Sequence, residues 1–183
     1  MRQSGRMVIV LVVVGMISGL FLAGVYNYTA PLIKENEKKA LEEGIYKVLP
    51  DASRYTVIAK DGITLYHGLD AQDRVVGYAF EAEGYGYQGV IKIMAGIDPQ
   101  LHRLTGMEVL QSSETPGLGA EIAHDPFKSQ FRGLAVLPNI IFTKDKAMQD
   151  NEIEAITGAT ISTRAVVEIL NKEIAKIREI FKK

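Results

Sequence analysis

Hydrophobic and polar positions divide the chain into three textures. Residues 7–33 carry no charge, and MVIVLVVVGMISGLFLAGVY supplies the ~20 apolar positions that cross a bilayer core. Tyr26 and Tyr28 fall where interfacial aromatics usually sit. The competing reading is a cleaved secretory signal with MRQSGR as its basic start. Against it, the run exceeds the ~7–15 residues of a signal core and no clear A-x-A site follows. A retained transmembrane helix is therefore expected. Next, Leu41, Ile45, Val48 and Leu49 recur at helical spacing among charges until Pro50, which predicts an amphipathic helix leading into a domain.

From Tyr55 the period shortens. RYTVIAKDGITLYHG reads as two strands about an Asp61-Gly62 turn. RVVGYAFEAEGYG and GVIKIMAGID follow as strands, Asp98-Pro99 marks a turn, and LTGMEVLQSSE reads as a strand ending in a loop. A short helix is expected in DPFKSQFRG, with Asp125 as its cap and Pro126 in its first position. NIIFTK and NEIEAIT are the last strand candidates. At the carboxyl end Ile161, Ala165, Ile169, Ile177 and Ile180 are placed on one helical face. Lys172, Lys176, Arg178, Lys182 and Lys183 crowd its last turns, where cations suit the helix dipole. The expected class is α+β: an antiparallel sheet packed with helices, preceded by one N-terminal transmembrane helix. The expected organisation is an anchor over residues 1–30, a helical connector over 31–53 and a domain over 54–183.

Composition then removes several chemistries. The 183 residues include 21 basic and 22 acidic side chains, so no basic stripe favours nucleic acid. The absence of cysteine removes thiol catalysis, disulfides and Cys-ligated clusters from this chain. His67, His102 and His124 are widely spaced and make no helical ligand pair, so no metal site is expected. The flanks of the apolar run set its orientation only weakly. Arg2 and Arg6 favour a cytoplasmic start, while Lys34, Lys38 and Lys39 nearly balance them.

Three stretches carry candidate chemistry. EGYGYQGVI (83–91) packs three glycines and two tyrosines into a loop suited to close backbone approach. In SSETPGLGAEI (112–122), Pro116-Gly117 is a turn and Gly119 permits a second unusual backbone angle. Such a loop can lie flat on a planar ligand, with the Glu114 carboxylate and Thr115 hydroxyl beside it. In EAITGATISTR (154–164), Gly158 and Ala159 leave room at a helix start whose free N–H groups and dipole favour a phosphate. From this motif alone, Thr160 or Ser162 as an ordinary helix cap, worth about 1 kcal/mol, is slightly the better explanation. No lysine occurs in this loop, so a nucleotide-hydrolysing P-loop is not supported.

Taken in order, TGAT before a terminal helix, ETPGLGAEI some forty residues earlier, GYGYQGVIKIMAGID before that, and one amino-terminal anchor resemble the FMN-binding G-type subunit of Rnf ion-translocating electron-transport complexes. They are also similar to the C-type subunit of the sodium-translocating NADH:quinone oxidoreductase. The short segment between anchor and sheet looks more like the Rnf protein. This resemblance implies covalent FMN, joined through its phosphate to the hydroxyl of Thr160, the last residue of the [ST]-G-A-[ST] motif. Thr157, Gly158 and Ala159 fill the rest of that motif. A separate flavin transferase using FAD as donor makes the bond. Where the family pattern has Asp, this chain has Glu154. The resemblance further implies that Glu114, Thr115, Gly117, Leu118 and Gly119 line the isoalloxazine ring, with Tyr85 and Tyr87 as candidate shields.

The function so implied is that of an electron carrier working with the other membrane subunits of an Rnf-type complex, which passes electrons from ferredoxin to NAD and couples them to Na+ or H+ movement. The chain is not expected to be catalytic alone, since one anchor forms no pump and no dinucleotide fingerprint is present. The resemblance places it in the cytoplasmic (inner) membrane as a single-pass protein, amino terminus inside and FMN domain outside. Other readings are a subunit of the quinone-reducing relative, a membrane-tethered sensor holding an anion reversibly, and a free-standing flavin reductase.

Overall fold

The computed structural model describes residues 2–60 and 62–182. Helix α1 (Arg2–Val48) is continuous, with Pro31 inside it. A membrane helix tolerates such a proline because neighbouring groups satisfy the carbonyl it frees. Pro31 frees the Asn27 carbonyl, and separately the Thr29 hydroxyl donates to the Val25 carbonyl at 2.9 Å. Among the described residues this is the one helix long and apolar enough to cross a membrane, and its most apolar window is unburied. The chain divides into two compact units, Met1–Ala40 and Leu41–Lys183.

The second unit begins with the last turns of α1 and holds five strands in a meander: β1 (Arg54–Lys60), β2 (Ile63–Leu69), β3 (Val75–Tyr85), β4 (Val90–Ile97) and β5 (Leu104–Ser112). They pair in sequence order, each antiparallel to the next. Of the expected Asp61-Gly62 turn, Asp61 lies outside the described residues, and Gly62 has a φ of 79°. The period-2 pattern sorts side chains onto two faces. Phe80, Ile93, Ala95 and Ile97 enter one core, whereas Ala79 and Met94 enter another with Ile45, Val48, Leu49 and Tyr66. The amphipathic stretch seen in the sequence thus buries its apolar stripe on the sheet. The Thr105 hydroxyl fixes the end of α1 by donating to the Val48 carbonyl at 2.5 Å.

The opposite face is covered by α3 (Thr160–Lys182), whose buried Val166, Leu170, Ile174 and Ile177 follow the helical period. Ile161 departs from the single face expected of it and is 55% exposed. It belongs to the first turn, where Ser162 and Thr163 take the buried side and Ile161 falls on the opposite one.

Between β5 and α3 lie short 3-10 turns, α2 (Asp125–Lys128), β6 (Ile141–Thr143) and β7 (Glu152–Glu154). The cap of α2 differs from expectation by one position. His124 is the N-cap, without a side-chain bond, and Asp125 and Pro126 are already helical. The His124 carbonyl receives the first two amides, from Phe127 and Lys128, at 3.1 Å. The last two strands do not extend the meander: β6 and β7 pair with each other in parallel.

Candidate functional site

An antiparallel meander brings alternate strand ends to the same edge. The close of β3, the opening of β4 and the close of β5 therefore meet, with Tyr85 paired to Val90 and Ile91 to Ser112. The β3–β4 hairpin is closed by the Gly86 amide donating to the Gly89 carbonyl at 2.7 Å. The loop after β5 then turns at Pro116-Gly117, where Gly117 takes a φ of 72°. The Thr115 carbonyl accepts the amides of Leu118 at 3.2 Å and Ala120 at 3.0 Å. α3 approaches the hairpin closely because Gly84 has no side chain; a Cβ there would lie 2.5 Å from Ile169. Its first turn consequently arrives beside the loop.

These segments enclose a cavity of about 420 Å³, a size typical of small-molecule clefts. Its wall is made by Tyr87, Glu114, Thr115, Leu118 and Gly119 on one side and residues 158–162 on the other. Seven of the nine residues singled out in the sequence line it: Glu114, Thr115, Leu118, Gly119, Gly158, Ala159 and Thr160. Gly117 and Thr157 instead sit in the adjoining turns. Tyr87 is in the wall, whereas Tyr85 is not and stands 82% exposed.

The start of α3 is capped by other residues than the sequence suggests. Ala159 occupies the cap position, its carbonyl accepting the Thr163 amide at 3.0 Å. The Thr163 hydroxyl donates to the same carbonyl at 3.2 Å and accepts the Ile156 amide at 3.1 Å. Neither Thr160 nor Ser162 caps the helix. Backbone amides of residues 160–162 have no carbonyl partner among the described residues, as the first turn of any helix requires. Thr160 is half-buried in the cavity wall, and its hydroxyl has no hydrogen-bond partner among the described residues. Gly158 reaches this geometry at a φ of 82°, a conformation that glycine adopts at little cost.

Glu114 is 6% exposed. Its carboxylate accepts the Gln88 amide at 2.9 Å and the Ser162 hydroxyl at 2.5 Å. The Thr115 hydroxyl donates to the Gln88 side-chain oxygen at 2.7 Å. Sequence reasoning misses Gln88 and Ser162 as members of the site. Ser162 is legible there only as a candidate cap, because its partner lies 48 residues away. Glu154, at the end of β7, is exposed, and its carboxylate accepts the Ala147 amide at 3.3 Å.

The histidines lie elsewhere. His67 stacks edge-on against Tyr78 at 4.6 Å, and burial holds its imidazole below the usual value. His124 pairs with Glu121 at 2.8 Å. Among the described residues no three His, Asp or Glu side chains converge as a metal site.

A helix start with free amides, an unpartnered hydroxyl and a glycine-containing loop thus meet around one cleft, which offers donors and room to a small anionic molecule. Residues 86–175 match the FMN-binding domain family. The G-type subunit of the ion-translocating oxidoreductase complex of Methanosarcina acetivorans is 33% identical, over 94% of each chain. Its counterpart in the Na(+)-translocating ferredoxin:NAD(+) oxidoreductase complex of Acetobacterium woodii is 29% identical over 95% of this chain and 91% of its own. Among solved structures, the C-type subunit of the Na(+)-translocating NADH-quinone reductase from Parabacteroides distasonis shares the fold at a TM-score of 0.54 and 22% identity, covering 60% of this chain and 58% of that one. The chain belongs to the G-type subunit family of ion-translocating oxidoreductase complexes. It is thus an FMN-binding member of a family of membrane-complex subunits.

Proposed function

We propose that this chain is the flavin-bearing electron carrier of an Rnf-type complex, with FMN held covalently as a phosphoester of Thr160. The observation that carries the reading is the Thr160 hydroxyl, unpartnered in the cavity wall beside the free amides of the first turn of α3. Residues 160–162 would hold the phosphate through their N–H groups and the dipole. Thr115, Leu118 and Gly119 would flank the ring, with Tyr87 in the same wall. Bound there, FMN supplies the one- and two-electron chemistry that side chains lack. The protein's part is to hold the group in place between transfers, and a covalent bond stops its loss.

Attachment is assigned to a separate transferase that uses FAD as donor, since among the described residues the Thr160 hydroxyl donates to no carboxylate or imidazole. In that step the Thr160 oxygen forms a new bond to the FMN phosphorus of FAD. The pyrophosphate bond breaks, AMP leaves, and the hydroxyl proton passes to the transferase. Glu154 would be part of what the transferase reads. The proposed division into anchor (1–30), connector (31–53) and FMN domain (54–183) accompanies a cytoplasmic amino terminus and an extracytoplasmic domain. In the names of the similar proteins, the complexes are ferredoxin:NAD(+) oxidoreductases that move Na(+) or protons. For this chain the same coupling is proposed, with the other membrane subunits as electron partners.

The test uses the full chain purified from cells that also express the transferase. Flavin fluorescence is expected to stay with the polypeptide through denaturation and gel electrophoresis. The isolated chain is expected not to oxidise NADH. Flavin that washes out on denaturation contradicts the covalent carrier, and NADH oxidation without partner subunits indicates a reductase instead.

A further inference from the structure

We infer that Ser162 is a positioning residue of the FMN site, acting through Glu114 as a latch between α3 and the loop that walls the cavity. The inference rests on the reading that this cavity holds FMN, but not on covalent attachment. A carboxylate removed from water must have its charge met by donors. Glu114 meets that need from two other segments, the hairpin through the Gln88 amide and α3 through Ser162. Ser162 is itself only 2% exposed. A hydroxyl that donates to a carboxylate makes a charge-assisted bond, about twice as strong as a neutral one.

The surrounding backbone is shaped to this carboxylate. A Cβ on Gly86 would run into one Glu114 oxygen, and a Cβ on Gly119 into the other and to 2.6 Å from the Ser162 hydroxyl. Gln88 then binds the loop a second time through Thr115. Three segments distant in sequence are so held around one buried charge. Thr115, Leu118 and Gly119, the residues that would touch the ring, follow directly in the chain. The phosphate end is tied to the same point, because Ser162 lies in the first turn of α3, two residues after Thr160. Ser162 makes no cap, and the start of the helix is secured separately by Thr163. Loss of the Ser162 hydroxyl should therefore spare the helix and free the wall.

The test has two arms, both on the full chain in detergent. In a Thr160→Ala background, FMN is titrated by fluorescence quenching. Adding Ser162→Ala is expected to weaken binding about tenfold, as loss of a bond to a buried charge implies, and Ser162→Thr is expected to restore it. In the flavin-loaded chain with Thr160 intact, Ser162→Ala should lower the visible circular dichroism of the flavin while far-UV dichroism and flavin content stay unchanged. Combined with Glu114→Ala, Ser162→Ala should add almost nothing, since both act on one interaction. Unchanged FMN affinity and unchanged visible dichroism in Ser162→Ala would overturn the latch. Absence of flavin on Thr160 in the loaded chain contradicts covalent attachment instead, and the titration arm still decides the latch.

Discussion

Thr160→Ala is expected to remove all denaturation-resistant flavin from the chain while leaving the fold intact. No other group in the cavity wall can substitute without rearrangement. The Ser162 hydroxyl is committed to Glu114, the Thr115 hydroxyl to Gln88, and Thr157 is exposed outside the wall. Thr160 itself contributes no side-chain bond to folding among the described residues, so far-UV dichroism and thermal midpoint should barely change. Thr157→Ala should reduce attachment less, through the turn that leads to Gly158. In-gel flavin fluorescence, with the protein stain as loading control, separates the two variants. Persistent covalent flavin in Thr160→Ala would contradict the assignment.

Gly119→Val is expected to damage the site more than any conservative change in its wall. Its side chain would occupy the space of the Glu114 carboxylate and approach the Ser162 hydroxyl, displacing a buried charge from both donors. Overpacking costs about 1–3 kcal/mol, and an uncompensated buried acceptor adds about 1–3 kcal/mol or more. A destabilisation of about 3 kcal/mol is the expected result in urea unfolding, with FMN binding lost even where the chain folds. Gly117→Ala provides the contrast. Its φ of 72° strains a side chain, but a Cβ there meets nothing within 4 Å, so the loss should stay at about 1–2 kcal/mol.

The fold is legible in the sequence where periodicity is strong. The uncharged run of residues 7–33, the stripe through Ile45, Val48 and Leu49, and the alternation in β3 and β4 all correspond to what is buried or exposed in the structure. Short elements are less legible, because one residue of difference there lies within ordinary variation in helix ends. Asp125 shows this: a good capping residue is displaced from the cap by His124, whose carbonyl takes the first amides. At 100° per residue Ile161 falls nearly opposite Val166, Leu170 and Ile177, so it points away from their core and into the cavity wall. The parallel pairing of β6 and β7 has no local signal, since Ile141 and its partner Glu152 belong to separate segments and neither strand alone carries a trace of the other.

The site is legible in its glycines and its Thr160 motif, since turn chemistry and a helix start are written locally. What joins these pieces is not. Glu114 can be read as an acceptor for a ligand, yet both its oxygens are engaged by Gln88 and Ser162. Those bonds exist only once the meander has brought three distant segments to one edge. Gln88 offers no motif at all, and its amide is the group that matters.

The most direct measurement is peptide mass mapping of the chain co-expressed with its flavin transferase. The proteolytic peptide containing Thr160 is expected to gain the mass of FMN less one water. Fragmentation should place that increment on the Thr160 side chain, with Thr157 and Ser162 unmodified. An unmodified peptide, or the increment on Thr157 or Ser162, would contradict covalent attachment at Thr160.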